Sequence, residues 1–435
     1  MNSIKLSLLT FFSGILMFPA FGQSTNSKEI KVNEQRIESR IFELSEFGKD
    51  QNGKAYRVAF SEGDIKARNW FIDLMKKAGL EVKIDEVGNI IGRRNGKKSK
   101  LKPIAFGSHM DMVPDGGNYD GCVGSISALE IIEVLNYNNI TTEHPLEVIV
   151  FADEETGFTG CLGMTGKLTS EDLKARSTSG LLVSEGIKAI GGNPDKFLEA
   201  ARNKGDLKAF LELHIEQGGI LEKEKIEIGV VEGIVGVADW NVTFHGTANH
   251  AGTTPMALRK DALLAASKFI VAAHEVIKSY KGAQVGNIGK ITALPGAYNV
   301  IPGNVVLGLE LRDLSDEKIA AMFKDIKKQA DEIEKESGVT IEFQQPTTPG
   351  KAALTDRKLR EIITESATKL GLSSKLMPSG AGHDSQEIAT IVPIGMIFAP
   401  SVGGVSHSPK EFTKASDMAN GANVLLQTIL ALDKE

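Results

Sequence analysis

The hydrophobic residues between positions 103 and 155 follow a strand, loop, helix, strand pattern. An apolar run over residues 104–106 stops at a glycine, and a glycine-rich loop follows it. Apolar residues at helical spacing fill residues 126–135, and a second apolar run covers residues 148–152. This order favours a βαβ unit in a parallel sheet, with the ends of both strands at one edge. Ligands of such sheets bind beyond the carboxyl ends of the strands, so we expect a functional site at that edge.

Amphipathic patterns on either side extend this unit into a larger α/β domain. Helices are predicted over residues 30–47 and 63–78, where apolar residues recur at helical spacing. Residues 210–216 alternate apolar and polar side chains, which predicts a half-buried strand. Since side chains repeat every two residues along a strand, His214 and Glu216 would share one face.

A second set of elements begins near residue 239 and has the order β-α-β-β-α-β. The predicted strands and helices cover residues 240–245, 258–280, 286–294, 304–312, 315–337 and 339–344. This set has the size of a small domain, about 110 residues, and a helix and a strand resume after it. We therefore expect an α+β domain, residues 239–348, inserted into an α/β domain made of residues 23–238 and 349–435.

The composition is that of an ordinary globular protein and excludes several classes. Of the 435 residues, 41% are hydrophobic and 24% are charged, and the formal net charge of −6 leaves no basic footprint for nucleic acid. Two cysteines, Cys122 and Cys161, are too few for a disulfide scaffold or a thiolate zinc site. They could pair with each other, but both lie in core-forming segments, which favours buried free thiols.

The first 22 residues have the pattern of a secretory signal peptide. Lys5 precedes an apolar run over residues 6–20, and the small residues around Phe21 fit a cleavage site after Gly22. The alternative is a membrane anchor, but the run is shorter than the about 20 residues that a span needs. No later segment is long enough either. We therefore expect an exported protein, periplasmic in a host with two membranes, with no membrane attachment after cleavage.

Five side chains of metal-binding types lie at or near predicted strand ends: His109, Asp120, Glu155, His214 and His407. Imidazoles and carboxylates are ligands of zinc and its divalent neighbours, and a carboxylate can bridge two ions. A single histidine at a strand end is more often structural than a ligand. The combination of His-x-Asp, Asp-Gly, Glu-Glu and a strand-borne histidine favours a metal centre.

Seven segments, in order along the chain, resemble motifs of the hydantoinase/carbamoylase family. They are GSHMD (107–111), GGNYDG (116–121), EE (154–155), HIEQG (214–218), HAGTTPM (250–256), SGAGHD (379–384) and SHSP (406–409). That family is a branch of the dinuclear metal aminoacylase and carboxypeptidase superfamily. It includes N-carbamoyl-L-amino-acid hydrolases, β-ureidopropionases and allantoate amidohydrolases. The resemblance implies a metallopeptidase-like catalytic domain with a central mixed sheet, and an inserted domain that serves as lid and dimerisation domain.

The resemblance also implies a ligand set for two divalent ions per subunit. Zinc is the first expectation, with manganese and cobalt as alternatives. His109 and His407 would bind one ion, Glu155 and His214 would bind the other, and Asp120 would bridge them. Two ions that share a carboxylate can activate a water molecule and polarise a carbonyl group.

Two acids beside these ligands would act in catalysis. Asp111, two residues after His109, would orient the imidazole of that ligand. Glu154 would be the general base, which takes a proton from water and passes it to the leaving nitrogen. The plain alternative for Glu154 is a solvent-exposed acid at a strand end.

The inserted domain would supply groups that hold the substrate. By resemblance, His250 reaches the active site, often from the partner subunit of a dimer, and stabilises the oxygen anion of the tetrahedral intermediate. Asn299 and Arg312 would bind the substrate carboxylate, for which the planar fork of arginine is suited. The alternative for Arg312 is an ion pair with Asp313 or another surface acid.

The remaining substrate contacts would come from the catalytic domain. Gln217 would contact the ureido group, and the backbone amides around Gly380 and Ala381 would face an anion. His383 follows that glycine-rich motif and is expected in the site.

These features together predict an exported, homodimeric, two-metal amidohydrolase of ureido acids. It would release the free amino acid, ammonia and carbon dioxide from an N-carbamoyl-L-amino acid. Allantoate amidohydrolase is the first alternative, because it shares every motif. An aminoacylase or dipeptidase of the superfamily is the second, and a metal-bound but inactive binding protein would require a missing ligand or base. No interaction with nucleic acid is expected.

Overall fold

The computed structural model describes residues 30–346 and 349–435, and it confirms the α/β fold with a separate α+β domain. The predicted signal peptide, residues 1–22, lies outside the described residues. Within those two ranges, no helix has the length and apolar character needed to cross a bilayer.

The described residues form fifteen strands. They are β1 (Glu81–Ile84), β2 (Ile90–Arg94), β3 (Ile104–His109), β4 (Leu146–Phe151), β5 (Ala209–Ile215), β6 (Ile228–Ile234), β7 (Gly236–His245), β8 (Asn249–His250), β9 (Val285–Leu294), β10 (Val300–Ile301), β11 (Asn304–Asp313), β12 (Thr340–Gln344), β13 (Ala353–Leu354), β14 (Ser374–Ser379) and β15 (Ile394–Ala399).

Twelve α-helices accompany the strands in the same part of the chain. They are α1 (Glu34–Ser45), α2 (Glu62–Lys77), α3 (Cys122–Tyr137), α4 (Glu154–Gly157), α5 (Thr159–Met164), α6 (Val183–Ala189), α7 (Ile220–Glu224), α8 (Ala262–Ser279), α9 (Asp316–Ser337), α10 (Arg357–Lys369), α11 (Asp384–Ile388) and α12 (Ala415–Leu432). Several begin at a side-chain cap, as α8 does at Asp261, whose carboxylate accepts hydrogen bonds from Leu263 N and Leu264 N.

The central sheet is mixed, with a parallel core. Its strand order is β1-β2-β4-β3-β5-β15-β6-β13, and β14 also pairs with β6. Strands β4, β3, β5 and β15 run parallel to one another, so their carboxyl ends lie at one edge. Helices α3 and α12 pack on this core, and α11 packs on β5 and β15. The predicted βαβ unit is β3, α3 and β4, whose strands are direct neighbours.

The prediction that residues 210–216 form a half-buried strand is wrong in one respect. Strand β5 is buried at every position from Ala209 to Ile215, because it is a central strand on which helices α3, α11 and α12 pack. Its one charged side chain, Glu212, accepts hydrogen bonds from Ser108 Oγ (2.7 Å) and Ser385 Oγ (2.5 Å). The polar position in the alternating pattern is therefore a buried carboxylate whose hydrogen bonds are made, and not a side chain that faces solvent.

The inserted domain is a four-stranded antiparallel sheet covered by two helices. Its strand order is β12-β7-β11-β9, and α8 and α9 pack against it. In β7 and β11 buried residues alternate with partly exposed ones, as expected of half-buried strands. Trp240 of β7 stacks on Phe323 of α9 with ring centroids 4.1 Å apart. The predicted β-α-β-β-α-β order is confirmed, while the exact domain boundaries stay a prediction.

Both cysteines are free and buried, as expected. Cys122 accepts a hydrogen bond from Arg57, whose guanidinium is fully buried and also donates to Met110 O (2.8 Å) and Leu44 O (3.0 Å). This buried arginine ties the chain that follows β3 to helix α1.

Candidate metal centre and active site

The carboxyl ends of the parallel strands bring the predicted ligands to one edge of the central sheet. His109 is the last residue of β3, and His214 lies next to the end of β5. Glu154 and Glu155 open helix α4 shortly after β4, and His407 lies in the loop that follows β15. Residues spread over about 300 positions of sequence thus meet because parallel strands end together.

Asp120 lies at the centre of the cluster. Its Oδ1 is 3.1 Å from Nε2 of His214 and 3.4 Å from Nε2 of His109. Its Oδ2 is 3.5 Å from Nε2 of His407, which lies 3.3 Å from Oε2 of Glu155. The carboxylate is therefore placed to serve two groups of ligands, one on each oxygen.

The structure groups the ligand side chains differently from the predicted division. The resemblance pairs His109 with His407 and Glu155 with His214. The structure instead groups His109 with His214, and Glu155 with His407, and Asp120 belongs to both groups. The physical reason is the strand order: β3 and β5 are neighbours, so their terminal histidines face the same oxygen of Asp120.

Gly121 allows Asp120 to come this close. It has φ of 62°, a conformation that glycine adopts without strain, and it packs against the His109 ring. A Cβ atom at this position would overlap that ring. The glycine of the Asp-Gly motif therefore has a steric role in the centre.

The donor set fits divalent metal ions. Nε2 of His109 is buried and makes no hydrogen bond within the described residues, which is expected of a nitrogen that is placed to bind a metal. Although burial opposes a charge, Glu154, Asp120 and Asp111 raise the pKa of His109 well above its usual value. The local field thus favours positive charge, which a divalent cation would supply.

The second group of ligands shows the same preference for a cation. A hydrogen bond to Asp120 and the charge of Glu155 raise the pKa of His407 to about 9, although burial lowers it. Burial and the charge of Asp120 raise the pKa of Glu155 to about 7. Although burial opposes it, the imidazole of His214 and its neighbours hold the pKa of Asp120 well below its usual range.

Asp111 supports the centre through two different parts of the residue. Its carbonyl oxygen lies 3.2 Å from Nδ1 of His109, so the main chain rather than the side chain orients this imidazole. The carboxylate lies 3.7 Å from the same nitrogen. It accepts hydrogen bonds from Glu154 N (3.3 Å) and Glu155 N (3.1 Å) and so fixes the start of helix α4.

Glu154 and Glu155 point in different directions. Glu155 faces His407, whereas Oε2 of Glu154 lies 3.6 Å from Nε2 of His109. Glu154 is buried, so the alternative of a solvent-exposed acid does not hold. Burial raises the pKa of Glu154 well above its usual value, although His109 lowers it. An acid in this environment can hold a proton next to the centre.

Glu411 is a residue of the centre that sequence reasoning missed. Its Oε1 accepts hydrogen bonds from Tyr119 N (2.9 Å) and Asp120 N (3.1 Å). Its Oε2 accepts from Ser406 Oγ (2.9 Å) and His407 N (3.3 Å). One buried carboxylate therefore joins the loop of the bridging aspartate to the loop of the last histidine. The only signal in the sequence is an acid four residues after His407.

Gln217 and His383 lie against the ligands rather than apart from them. Gln217 Nε2 donates to Oδ2 of Asp120 (2.6 Å), and its Oε1 is buried without a hydrogen-bond partner within the described residues. The ring of His383 packs edge-on against His214, with centroids 4.4 Å apart, and its Nε2 is 2.8 Å from Ser379 Oγ. Burial and the neighbouring His214 hold the pKa of His383 well below its usual value.

Arg312 connects the inserted domain to the predicted substrate loop. Its Nη1 donates to Gly380 O (2.6 Å). Its other nitrogens pair with both carboxylate oxygens of Glu310, at 2.8 and 3.0 Å. The alternative of an ion pair is thus observed, with Glu310 rather than Asp313 as the acid. In the same loop, Ala381 N donates to Ser379 Oγ (3.2 Å).

His250 and Asn299 lie close to each other in the inserted domain. Strand β8 pairs His250 with Val300 of β10, and Ala251 N donates to Asn299 O (2.9 Å). Nδ1 of His250 accepts from Gly252 N (3.0 Å) and Thr253 N (3.2 Å), so Nε2 is the nitrogen left to act. No hydrogen bond or ion pair between described residues joins either side chain to the cluster.

This fold and this cluster define the class of metal-dependent hydrolases. The sequence model of Peptidase family M20/M25/M40 matches residues 105–431. The chain belongs to this family and, within it, to the hydantoinase/carbamoylase branch that its motifs resemble. It is therefore an enzyme that hydrolyses carbon–nitrogen bonds with the help of divalent metal ions.

Relatives match the chain over nearly its whole length. An N-carbamoyl-L-amino acid amidohydrolase of Geobacillus stearothermophilus is 38% identical over 92% of this chain and 99% of its own. An allantoate amidohydrolase of Escherichia coli is 34% identical over 90% of this chain and 96% of its own. The solved structure of an amidase of the hydantoinase/carbamoylase family from Burkholderia multivorans superimposes with a TM-score of 0.86, at 32% identity, and covers 93% of this chain and 99% of that one.

Proposed function

We propose that this enzyme hydrolyses ureido acids, with N-carbamoyl-L-amino acids as the substrate class. Water and the substrate would give the free amino acid, ammonia and carbon dioxide. The observation that carries the proposal is the position of Asp120, whose two oxygens face separate ligand groups while Glu154 lies beside them. The relatives named above act on ureido compounds, which supports this substrate class.

Five side chains would hold two divalent ions. His109, His214 and Asp120 would form one site, and Asp120, Glu155 and His407 the other. Zinc is the first candidate for these imidazole and carboxylate ligands, and manganese and cobalt are the alternatives. Bound ions of this kind supply Lewis acidity for the ureido carbonyl and lower the pKa of a water molecule.

Glu154 would move the proton. Its carboxylate is buried, and Oε2 lies 3.6 Å from Nε2 of His109. It would accept a proton from the attacking water and donate it to the leaving nitrogen. Asp111 would keep Glu154 in place, since it holds the backbone amide of that residue.

Specific recognition of the ureido acid would use groups on both domains. The unpartnered Oε1 of Gln217 is an acceptor suited to a ureido N–H. Arg312 would exchange its two hydrogen bonds with Glu310 for two with the substrate carboxylate, and Asn299 and the amides near Gly380 would also bind this group. The contact between Arg312 and Gly380 supports this, because it brings the guanidinium to the predicted substrate loop.

We further propose that residues 239–348 act as a lid and that the enzyme is a homodimer. Within the described residues the side chains of His250 and Asn299 make no hydrogen bond or ion pair with the cluster, which is consistent with a partner subunit that supplies His250. Apolar side chains are exposed on the inserted domain, among them Leu264 (53%), Val271 (65%) and Ile291 (54%). Exposed apolar groups of this kind are typical of an interface.

We also propose that the protein is exported. Cleavage after Gly22 would release the mature enzyme, and N-terminal sequencing of the protein from its host would test this site.

The proposed substrate class is tested by ammonia release from purified enzyme loaded with zinc, manganese and cobalt in turn. The panel contains several N-carbamoyl-L-amino acids, N-carbamoyl-β-alanine and allantoate, with an N-acetyl-amino acid and a dipeptide as controls. We expect ammonia from N-carbamoyl-L-amino acids, loss of this activity with a chelator, and recovery on adding metal. Faster turnover of allantoate would assign the first alternative, and faster cleavage of the dipeptide would reject the ureido assignment.

A further inference from the structure

A cavity of about 710 Å³ lies at the edge of the central sheet opposite to the metal centre. Its walls are the segments that lead into the parallel strands β3, β5 and β15, together with the start of helix α10. The metal ligands lie at the other ends of these strands, so the cavity is separate from the active site. Its volume is within the range of about 300–1,000 Å³ that is common for small-molecule sites.

The lining of this cavity is strongly positive. It contains five basic side chains and one acidic one: Lys102, Lys204, Lys208, Arg357, Arg360 and Asp356. The carboxylate of Asp356 caps helix α10, because it accepts a hydrogen bond from Leu359 N (3.0 Å). A cationic cavity is not a consequence of the overall charge, since the whole chain carries a formal charge of −6.

Four of the five cations form no ion pair within the described residues, although the carboxylates of Glu435 and Asp433 lie near Lys208. Arg357 pairs with Glu361 (2.9 Å). Among the residues that the structure describes, the other four basic groups, Lys102, Lys204, Lys208 and Arg360, have no carboxylate within ion-pair distance. Unpaired cations that converge on a concavity attract anions more strongly than the same charges scattered over a surface.

Two of the cations are held in place by backbone oxygens. Lys208 Nζ donates to Leu432 O (2.8 Å), and Arg360 Nη1 donates to Thr355 O (2.9 Å). The loops around them are also joined, since Phe210 N donates to Pro393 O (3.0 Å). The site therefore has a fixed shape before any ligand arrives, which lowers the entropic cost of binding.

The cavity also has an apolar wall. Val392 and Ile394 are buried in it, and Leu354 faces it with 63% of its surface exposed. A purely inorganic ion would leave this wall in contact with water. A ligand that has both charges and a carbon framework would cover it.

We propose that this cavity binds a small organic anion with two or more negatively charged groups on an apolar body. The charged groups are phosphates, sulfates or carboxylates, whose oxygens the lysines and Arg360 would bind. The site is additional to the proposed hydrolysis and does not depend on it.

The test uses hydroxypyrene trisulfonate, a fluorescent fused-ring trianion, and the full-length metal-loaded enzyme. Binding is followed by fluorescence anisotropy at constant ionic strength. The test variant carries Lys102→Gln and Lys204→Gln. The control variant carries Lys76→Gln and Lys77→Gln, which remove the same charge from exposed positions at the end of α2. Sulfate and chloride are compared as competitors, and an N-carbamoyl-L-amino acid is added in a separate arm.

We expect saturable binding of one probe per chain, weakened about tenfold by the Lys102 and Lys204 changes and unchanged by the control changes. Sulfate should displace the probe better than chloride does, and the N-carbamoyl-L-amino acid should not displace it. Equal affinity in the test variant, equal weakening in both variants, or displacement by the amino acid derivative would overturn the assignment. Activity toward ureido acids is measured separately, so failure of either proposal is seen independently.

Discussion

Asp120 meets three imidazoles with two oxygen atoms, and the position of each oxygen decides which ligands act together. His109 and His214 approach Oδ1, while His407 approaches Oδ2 beside Glu155. Both groups form only if the backbone around Asp120 holds this orientation. Glu411 provides that restraint, since it binds the amide of Asp120 and the amide of His407 with one carboxylate.

Glu411→Gln is expected to weaken metal binding about 10- to 100-fold. Glutamine is of the same size, but its amide nitrogen is a donor and would face N–H groups that need an acceptor. The measurement is metal affinity by competition with a chromogenic chelator. Glu222→Gln is the matched control, because Glu222 accepts from Gly403 N (2.6 Å) in the same loop without touching a ligand. Equal metal affinities in the wild type and in Glu411→Gln would contradict the restraining role of Glu411.

Arg312→Lys is expected to raise KM for carboxylate substrates about tenfold or more, with a smaller effect on kcat. Lysine keeps the charge but loses the planar fork that pairs with a carboxylate. Steady-state kinetics on an N-carbamoyl-L-amino acid and on its carboxamide analogue check this. The carboxamide should respond weakly. An equal loss on both compounds would indicate that Arg312 acts only through Glu310 and Gly380.

At the scale of elements, periodicity predicts the inserted domain well because its strands are half-buried. Strands β7 and β11 have one face on the helices and one toward solvent, so alternation in the sequence is visible. The same rule fails for β5, which is covered on both faces and keeps Glu212 inside through two serine hydroxyls. Those partners come from other elements, and one strand's sequence does not contain them.

The residues of the site could likewise be predicted only where neighbouring residues in the chain identify them. Motifs identify which side chains meet, because His109, Asp120 and Glu155 carry recognisable neighbours in the chain. They do not determine which oxygen of Asp120 faces which histidine, since that depends on strand order. They also miss Glu411, whose hydrogen-bond partner Asp120 lies 291 positions away.

Helix α8 has an exposed apolar face, and a substitution on this face can test the proposed dimer. Val271 is 65% exposed, and Leu264 lies seven residues earlier on the same face of the helix. We expect Val271→Glu to convert a dimer into monomers, because a carboxylate at the interface would be buried without a partner. Light scattering after size-exclusion chromatography gives the mass.

Leu198→Glu is the matched control for this change. Leu198 has the same exposure, 65%, but lies in the catalytic domain. Its variant should keep the oligomeric state of the wild type. A wild-type enzyme that is already monomeric, or a Val271→Glu variant that stays dimeric, would contradict the proposed interface.

At the scale of the whole molecule, the parallel core gives the enzyme two chemically different edges. The carboxyl ends of the strands gather the acids and imidazoles of the metal centre. The opposite ends gather the unpaired cations of the cavity. The metal ligands and the cavity's cations lie at opposite ends of the same parallel strands. A strand such as β5 spans about 20 Å between them.

The central claim is a metal-dependent hydrolase in which Glu154 moves the proton and Glu155 binds metal. The most direct measurement compares turnover and metal content, by elemental analysis, in Glu154→Gln and Glu155→Gln. We predict that Glu154→Gln keeps the metal content of the wild type and loses turnover by about a thousandfold, whereas Glu155→Gln loses metal. Near-normal turnover in a fully metallated Glu154→Gln enzyme would contradict the account.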